Sequence, residues 1–111
     1  MSFEWTSHRF SGGLLALDLV NTVVCREQPS RRSDRFADAG IIRGFCVAAS
    51  RFRQEELAGE LGIDQADTIN ILELREAING WLRPIAKGGK ASGPAIERLF
   101  SAAASCMRQR D

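Results

Sequence analysis

The sequence predicts a mainly α fold: a small helical domain of four to five helices, with room for a short strand at its N-terminal edge. Three observations point there. Apolar residues recur at steps of three and four along most of the chain. The connectors between those stretches are short and rich in glycine, serine and proline. At 111 residues the chain suffices for one domain with one modest core, and short connections favour helix packed on helix.

Each element follows from local chemistry. In Met1–Ser11, Phe3 and Trp5 alternate with polar neighbours before Phe10, a weak period-two pattern that fits an extended segment or a short strand. Gly12-Gly13 then permits backbone angles that other residues avoid. Leu14–Val24 turns helical, with Leu14, Ala16, Leu17, Val20 and Val24 apolar and Asp18, Asn21 and Thr22 together at i, i+3 and i+4. The β-branched run Thr22-Val23-Val24 weakens that helix, which is expected to end near Cys25. Arg26–Arg35 carries four arginines, two serines and Pro29, and reads as an exposed, mobile loop.

Phe36–Ser50 is expected to be helical in two parts, with a turn at Ala39-Gly40 and an apolar patch of Ile41, Ile42, Phe45, Cys46, Val47 and Ala49. Gln54–Leu61 reads as a short acidic helix closed by Gly62. Asp64–Ala86 is the strongest element. Asp64 or Asp67 caps its start, and Ile71, Leu74, Ile78, Trp81, Leu82 and Ile85 form one stripe. Pro84 is expected to kink or end it near Arg83. Lys87–Ser92 is a flexible connector. Ser92-Gly93-Pro94 opens the last helix, which runs from Ala95 to about Gln109 with the stripe Ile96, Leu99, Phe100, Ala103 and Met107.

Composition narrows function by exclusion. Fifteen basic residues against 14 acidic, a net charge of +1, and 44% hydrophobic residues exclude a basic nucleic-acid arm, an acidic tail and a disordered chain. No apolar run approaches about 18 residues, so no transmembrane helix is expected. The N-terminus lacks the features of a secretory signal, and a cytoplasmic protein is expected. Cys25, Cys46 and Cys106 are odd in number and scattered, which suits small buried hydrophobes better than a disulfide framework or a zinc site. No GxSxG, HExxH, Walker-type or GxGxxG string occurs, and nothing sets the lone His8 beside a nucleophile. The expectation is therefore no enzyme, no metal and no cofactor. Glu55, Glu56 and Glu60 read as a solvated face, and Glu73 and Glu76 as surface partners of Arg75. The basic loop has no aromatic residue for base stacking.

One constellation stands apart. Asp18, Asn21 and Thr22 share a face of an otherwise apolar segment, and if that face is inward its groups must be paired. Arg75, within the main apolar helix, is a candidate partner. Two readings stay open: these residues brace the fold, or they line a pocket for a small polar ligand.

RFSGGLLALDLVNT (Arg9–Thr22) resembles the opening segment of the ABATE-domain family, bacterial proteins described as stress-induced transcription regulators. Phe10, Gly12, Gly13, Leu15, Ala16, Leu17, Asp18, Asn21 and Thr22 carry the likeness, and LREAI (Leu74–Ile78) resembles that family's LRE-containing helix. The likeness runs from about Phe10 to Ala104. It implies a sensory region followed by a C-terminal zinc-ribbon module with a CGNR motif, the part that contacts DNA. This sequence has no CGNR string and no C-terminal cysteine pair. The expectation is thus a single domain over residues 1–111, equivalent to the N-terminal part of an ABATE domain and truncated from a longer regulator. Zinc and DNA would belong to the missing module. Faces that met the missing portion would be exposed and favour a homo-oligomer such as a dimer. The expected function is a non-enzymatic sensory domain in which Gly12, Gly13, Asp18, Asn21, Thr22 and Arg75 hold a small polar or anionic ligand. The alternative is a helical interaction or oligomerisation module with no small ligand. A solvent-reachable pocket beside Asp18 favours the first.

Overall fold

Four helices and one two-stranded hairpin make up the described part of the chain, so the fold is mainly α as predicted. The computed structural model describes Trp5, Arg9, Phe10 and residues 15–53 and 66–107. The expected N-terminal strand except for Trp5, Arg9 and Phe10, the Gly12-Gly13 break, and the acidic helix Gln54–Leu61 with Gly62 all lie outside the described residues.

Helix α1, Leu15–Val20, buries Leu15 and Leu19 one turn apart, with Asp18 beside them. It ends well short of Cys25. The Thr22 hydroxyl donates to the Leu19 carbonyl at 2.7 Å, capping the last turn. The β-branched Val23 and Val24 then form strand β1 (Val23–Val24), where their stiff side chains are at ease. Cys25, at φ +53°, turns the chain. The chain returns as β2 (Ser33–Asp34), antiparallel to β1 with Val23 opposite Asp34 and Val24 opposite Ser33. The Arg35 amide extends this pairing by donating to the Thr22 carbonyl at 2.8 Å. Of the arginine-rich segment read as an exposed loop, residues 26–32 do form the connecting turn, and Ser33–Asp34 form the returning strand of a hairpin.

Helix α2, Ala39–Phe52, is one unbroken helix rather than two parts. Asp38 caps it by accepting the Ile41 amide at 2.8 Å, so Ala39-Gly40 is its first turn and not an interruption. Gly44 is there for a neighbour: a Cβ on it would lie 3.2 Å from the Trp5 ring. That close approach lets the Trp5 indole N–H donate to the Ile41 carbonyl at 2.9 Å. Phe45, Cys46 and Ala49 face inward, whereas Val47 points to solvent.

Helix α3, Thr68–Ala86, starts after Asp67 and buries Ile71, Leu74, Ala77, Ile78 and Arg75. Pro84 does not stop it. The helix runs on to Ala86 and closes with the Lys87 amide bonded to the Arg83 and Pro84 carbonyls and Gly88 at φ +83°. Helix α4, Gly93–Ser105, has the predicted start: Ser92 accepts the Ala95 amide and Pro94 sits in the first turn. It packs chiefly on α3. The face it buries keeps only part of the predicted stripe: Leu99 and Ala103 pack against the core. Ala102 and the following Cys106 are inside, while Ile96, Phe100 and Met107 are exposed. The buried side of α4 is thus made of Leu99 and small side chains, and Ile96 and Phe100 are left facing water.

The core is aromatic at one end. Trp5 meets Phe10, Phe36 and Phe45 edge-on at 5.2–6.4 Å, and Phe10 stacks on Phe45. Among the described residues no helix is long and apolar enough to cross a membrane.

Candidate functional site

Asp18 sits at the heart of this end of the molecule. Its side chain is fully buried, on the inner face of α1. A bare carboxylate there would be prohibitively costly, so a cation must meet it. That cation is Arg53, whose Nε donates to Asp18 Oδ2 at 2.6 Å. The same guanidinium donates to the Phe10 carbonyl at 2.8 Å. Arg53 is also the C-cap of α2, so one residue ties α1, α2 and the N-terminal segment together.

Arg75 is buried too, but it does not reach Asp18. It donates from Nη1 and Nη2 to both carboxylate oxygens of Asp34, at 2.8 and 2.9 Å. Its Nε donates to Glu76 at 2.8 Å and Nη1 also reaches the Thr22 hydroxyl at 3.3 Å. The face of Phe36 lies 5.2 Å from its guanidinium carbon. Arg26 donates to the other side of Glu76 at 2.7 and 3.2 Å. The result is a ladder, Asp34–Arg75–Glu76–Arg26, that straps the hairpin to α3. Burial works against charge on Asp34, but bonds from Arg75 and the Phe36 amide outweigh it and hold its pKa below the ordinary carboxylate value. Burial likewise opposes charge on Glu76, and Arg26 and Arg75 outweigh it in the same direction.

An open pocket of about 200 Å³ lies where α1 passes into β1, beside Asp18. Asp18, Asn21 and Thr22 line it from the α1 side, Arg9 and Trp5 from the N-terminal segment, and Val24 and Arg35 from the hairpin. Of the predicted site residues, the structure thus brings Asp18, Asn21 and Thr22 together. Asn21 and Thr22 do so from the turn after α1, with Asn21 exposed and Thr22 buried, rather than from a shared helical face. Arg75 is not part of the lining; it is spent on Asp34 and Glu76. Gly12 and Gly13 lie outside the described residues.

Sequence reasoning missed Arg53, Arg9, Arg35 and Asp34. The first partners Asp18 across 35 positions, a separation no local pattern reveals. Arg35 and Asp34 were hidden because a charged, proline-containing stretch looks like a loop. Glu73 and Glu76, read as partners of Arg75 on the surface, divide their roles: Glu73 pairs with Arg98 of α4, and Glu76 belongs to the ladder. No disulfide joins the cysteines, and Cys46 and Cys106 are buried while Cys25 is partly exposed. Burial raises the Cys106 thiol above its usual value. Among the described residues no cluster of His, Cys, Asp and Glu could hold a metal ion.

Together these features define a small mainly α domain whose charge-braced hairpin frames an open polar pocket. The chain belongs to the ABATE family, described as "Putative stress-induced transcription regulator", whose family model matches residues 13–110. Comparisons with curated proteins and with solved structures found no match.

Proposed function

We propose that the chain is the non-enzymatic sensory part of a transcription regulator and that the pocket beside Asp18 receives a small polar or anionic ligand. The observation that carries this reading is the pocket itself, a concave, solvent-reachable space against a fully buried carboxylate. The family description supplies the regulatory context. In this reading DNA is contacted by a separate module, as the family resemblance implies.

Native mass spectrometry of the purified chain, with a denatured run alongside, tests it. The expected result is a mass excess that disappears on denaturation and is lost in Asn21→Leu, a change at an exposed pocket position that spares the buried ion pairs. A chain with no excess mass, before and after incubation with cell metabolite extract, overturns it.

One observation favours a second reading, that of an oligomerisation module. Phe100 on α4 and Met107, two residues past its end, are 71% and 49% exposed, and Ile96 one turn before Phe100 is 38% exposed. Such a stripe suits a partner helix. Light scattering at micromolar concentration decides it: a dimer that becomes a monomer in Phe100→Ser supports this module, and a monomeric parent chain removes it.

A further inference from the structure

We infer that α4 pairs with α4 of a second copy of this chain, antiparallel and about a twofold axis, with Phe100 of each copy seated over Ala103 of the other. The inference rests on the oligomerisation reading above and specifies the partner and its register. Along α4 and the residues just past it, one face runs large, large, small, large: Ile96, Phe100, Ala103 and Met107. Phe100 stands 71% exposed, whereas Ala103 packs against the core. The short Ala103 side chain leaves a hollow between Phe100 and Met107.

A twofold axis makes one surface its own partner, so each knob must find a hole on the same face. An antiparallel pair meets that condition. With Phe100 over Ala103, Ile96 falls opposite Met107. A parallel pair sets Phe100 on Phe100 and Ala103 on Ala103, bump on bump and gap on gap, which close packing does not tolerate. Charge agrees. Glu97 is exposed beside Ile96, at one end of the face. Parallel helices would bring the two Glu97 carboxylates together, and antiparallel ones set them at opposite ends of the contact. Opposed helix dipoles favour the same arrangement.

Area sets the strength. Ile85, on the last turn of α3, continues the stripe of Ile71, Leu74 and Ile78 but is 43% exposed. The short connector to α4 puts it at the same end of the α3–α4 pair as Ile96. At roughly 200 Å² for a whole large side chain, the exposed parts of Ile85, Ile96, Phe100 and Met107 come to about 400 Å² per copy. Two copies cover about 800 Å² of these side chains, and the stems beside them bring the total to about 1,000 Å², where specific interfaces begin. A contact of that size makes a reversible dimer with a Kd in the micromolar range.

Two measurements on the whole chain test this. The first is a dilution series of the 15N-labelled parent from about 500 to about 1 µM, read by NMR with light scattering alongside. The Ile96, Phe100 and Ala103 amides are expected to shift together with concentration while the hairpin amides stay fixed. Phe100→Asp should weaken association tenfold or more, and Val47→Asp, at a residue 70% exposed on α2, should leave it unchanged. The second measurement reads the register. Every chain carries Cys25→Ser, because Cys25 is the partly exposed thiol. Chains with Ile96→Cys are mixed with chains with Met107→Cys and oxidised. The mixed disulfide is expected to form at least tenfold faster than either same-site disulfide. A faster same-site disulfide, or equal rates, overturns the antiparallel register while leaving the oligomerisation reading intact. Should a cysteine variant fail to fold, the dilution series and Phe100→Asp still decide the face: shifts centred on the hairpin, or a dimer indifferent to Phe100→Asp, overturn it. A parent chain that stays monomeric throughout ends both the pairing and the oligomerisation reading.

Discussion

Two of the ion pairs on helix α3, one on each side, have nearly the same length. On the hairpin side Arg75 meets Asp34 at 2.8 Å; on the α4 side Glu73 meets Arg98 at 2.7 Å. Their surroundings differ. The Arg75 side chain is 5% exposed, whereas Arg98 and Glu73 are both about half exposed. The hairpin side also rests on the aromatic cluster, while α4 turns Leu99, Ala102 and Ala103 inward and leaves Phe100 in water. Distance alone therefore ranks neither pair. What decides is whether the charge that remains after one partner is removed can return to water.

The largest effects should come from breaking the buried side. Arg75→Met keeps apolar bulk over Phe36 but strands Asp34 against the hairpin, while Glu76 keeps Arg26. Asp34 is one-third exposed and recovers some hydration, so the cost belongs at the low end of the range for broken buried pairs, about 3 kcal/mol. Asp18→Ala leaves Arg53 without its buried carboxylate, and about 3 kcal/mol is expected again. Urea unfolding followed by circular dichroism measures both. Adding Asp34→Asn to Arg75→Met should restore part of the loss, since the stranded charge is then gone. A loss below about 0.5 kcal/mol in either single variant would place these pairs with the surface class.

The two sides were also unequally legible in the sequence. Helix α4 was easy to locate, because Ser92 and Pro94 mark its start within four residues, yet its orientation was misread. A stripe of Ile96, Leu99, Phe100, Ala103 and Met107 looks like a buried face, and only packing shows that Leu99 and Ala103 stay inside with Ala102 and Cys106 while Ile96, Phe100 and Met107 face out. The polar cluster was the reverse. Asp18 was legible as an anomaly, a carboxylate among leucines, because burying such a group demands a partner. Which partner was not legible: Arg75 was the candidate on paper, and only the fold brings Arg53 to α1. The hairpin escaped because β1 and β2 are two residues each, too short for any alternation to show.

Acid sharpens the same contrast. The pKa values of Asp34 and Glu76 are lower in the fold than their ordinary values of 3.8 and 4.5, because their arginine partners outweigh the burial that opposes charge. Ionised carboxylates thus favour the folded state. Their contribution is complete above the ordinary values and is lost as pH falls through the lowered ones. The urea midpoint should be level from about pH 7 to 5 and decline below about 4.5, a decline made shallower by Glu76→Gln. Glu73 is lowered too, chiefly by the Arg98 bond, but it stands in solvent and its share of the decline should be slight. A midpoint that stays level to about pH 3 would remove the ladder from the account of stability.

The smallest effect is expected at a bond as short as any on α3. Arg98→Ala removes a guanidinium that is 49% exposed from a carboxylate that is 51% exposed, and water replaces most of what is lost. Ordering two long side chains also costs entropy that the variant regains. The change in stability should be about 0.5 kcal/mol or less, and a double-mutant cycle with Glu73→Gln should yield a coupling of the same order. Salt gives an independent reading. Raising NaCl to about 0.5 M shortens the screening length to a few ångströms and should erase the Arg98 coupling, while the Arg75 variant keeps most of its cost because the buried pair is shielded from ions. If Arg98→Ala costs as much as Arg75→Met, burial is not what separates the two sides. The exposed stripe of α4 would then be the place to look for the missing energy, as a covered face that makes this pair a buried one in the assembled protein.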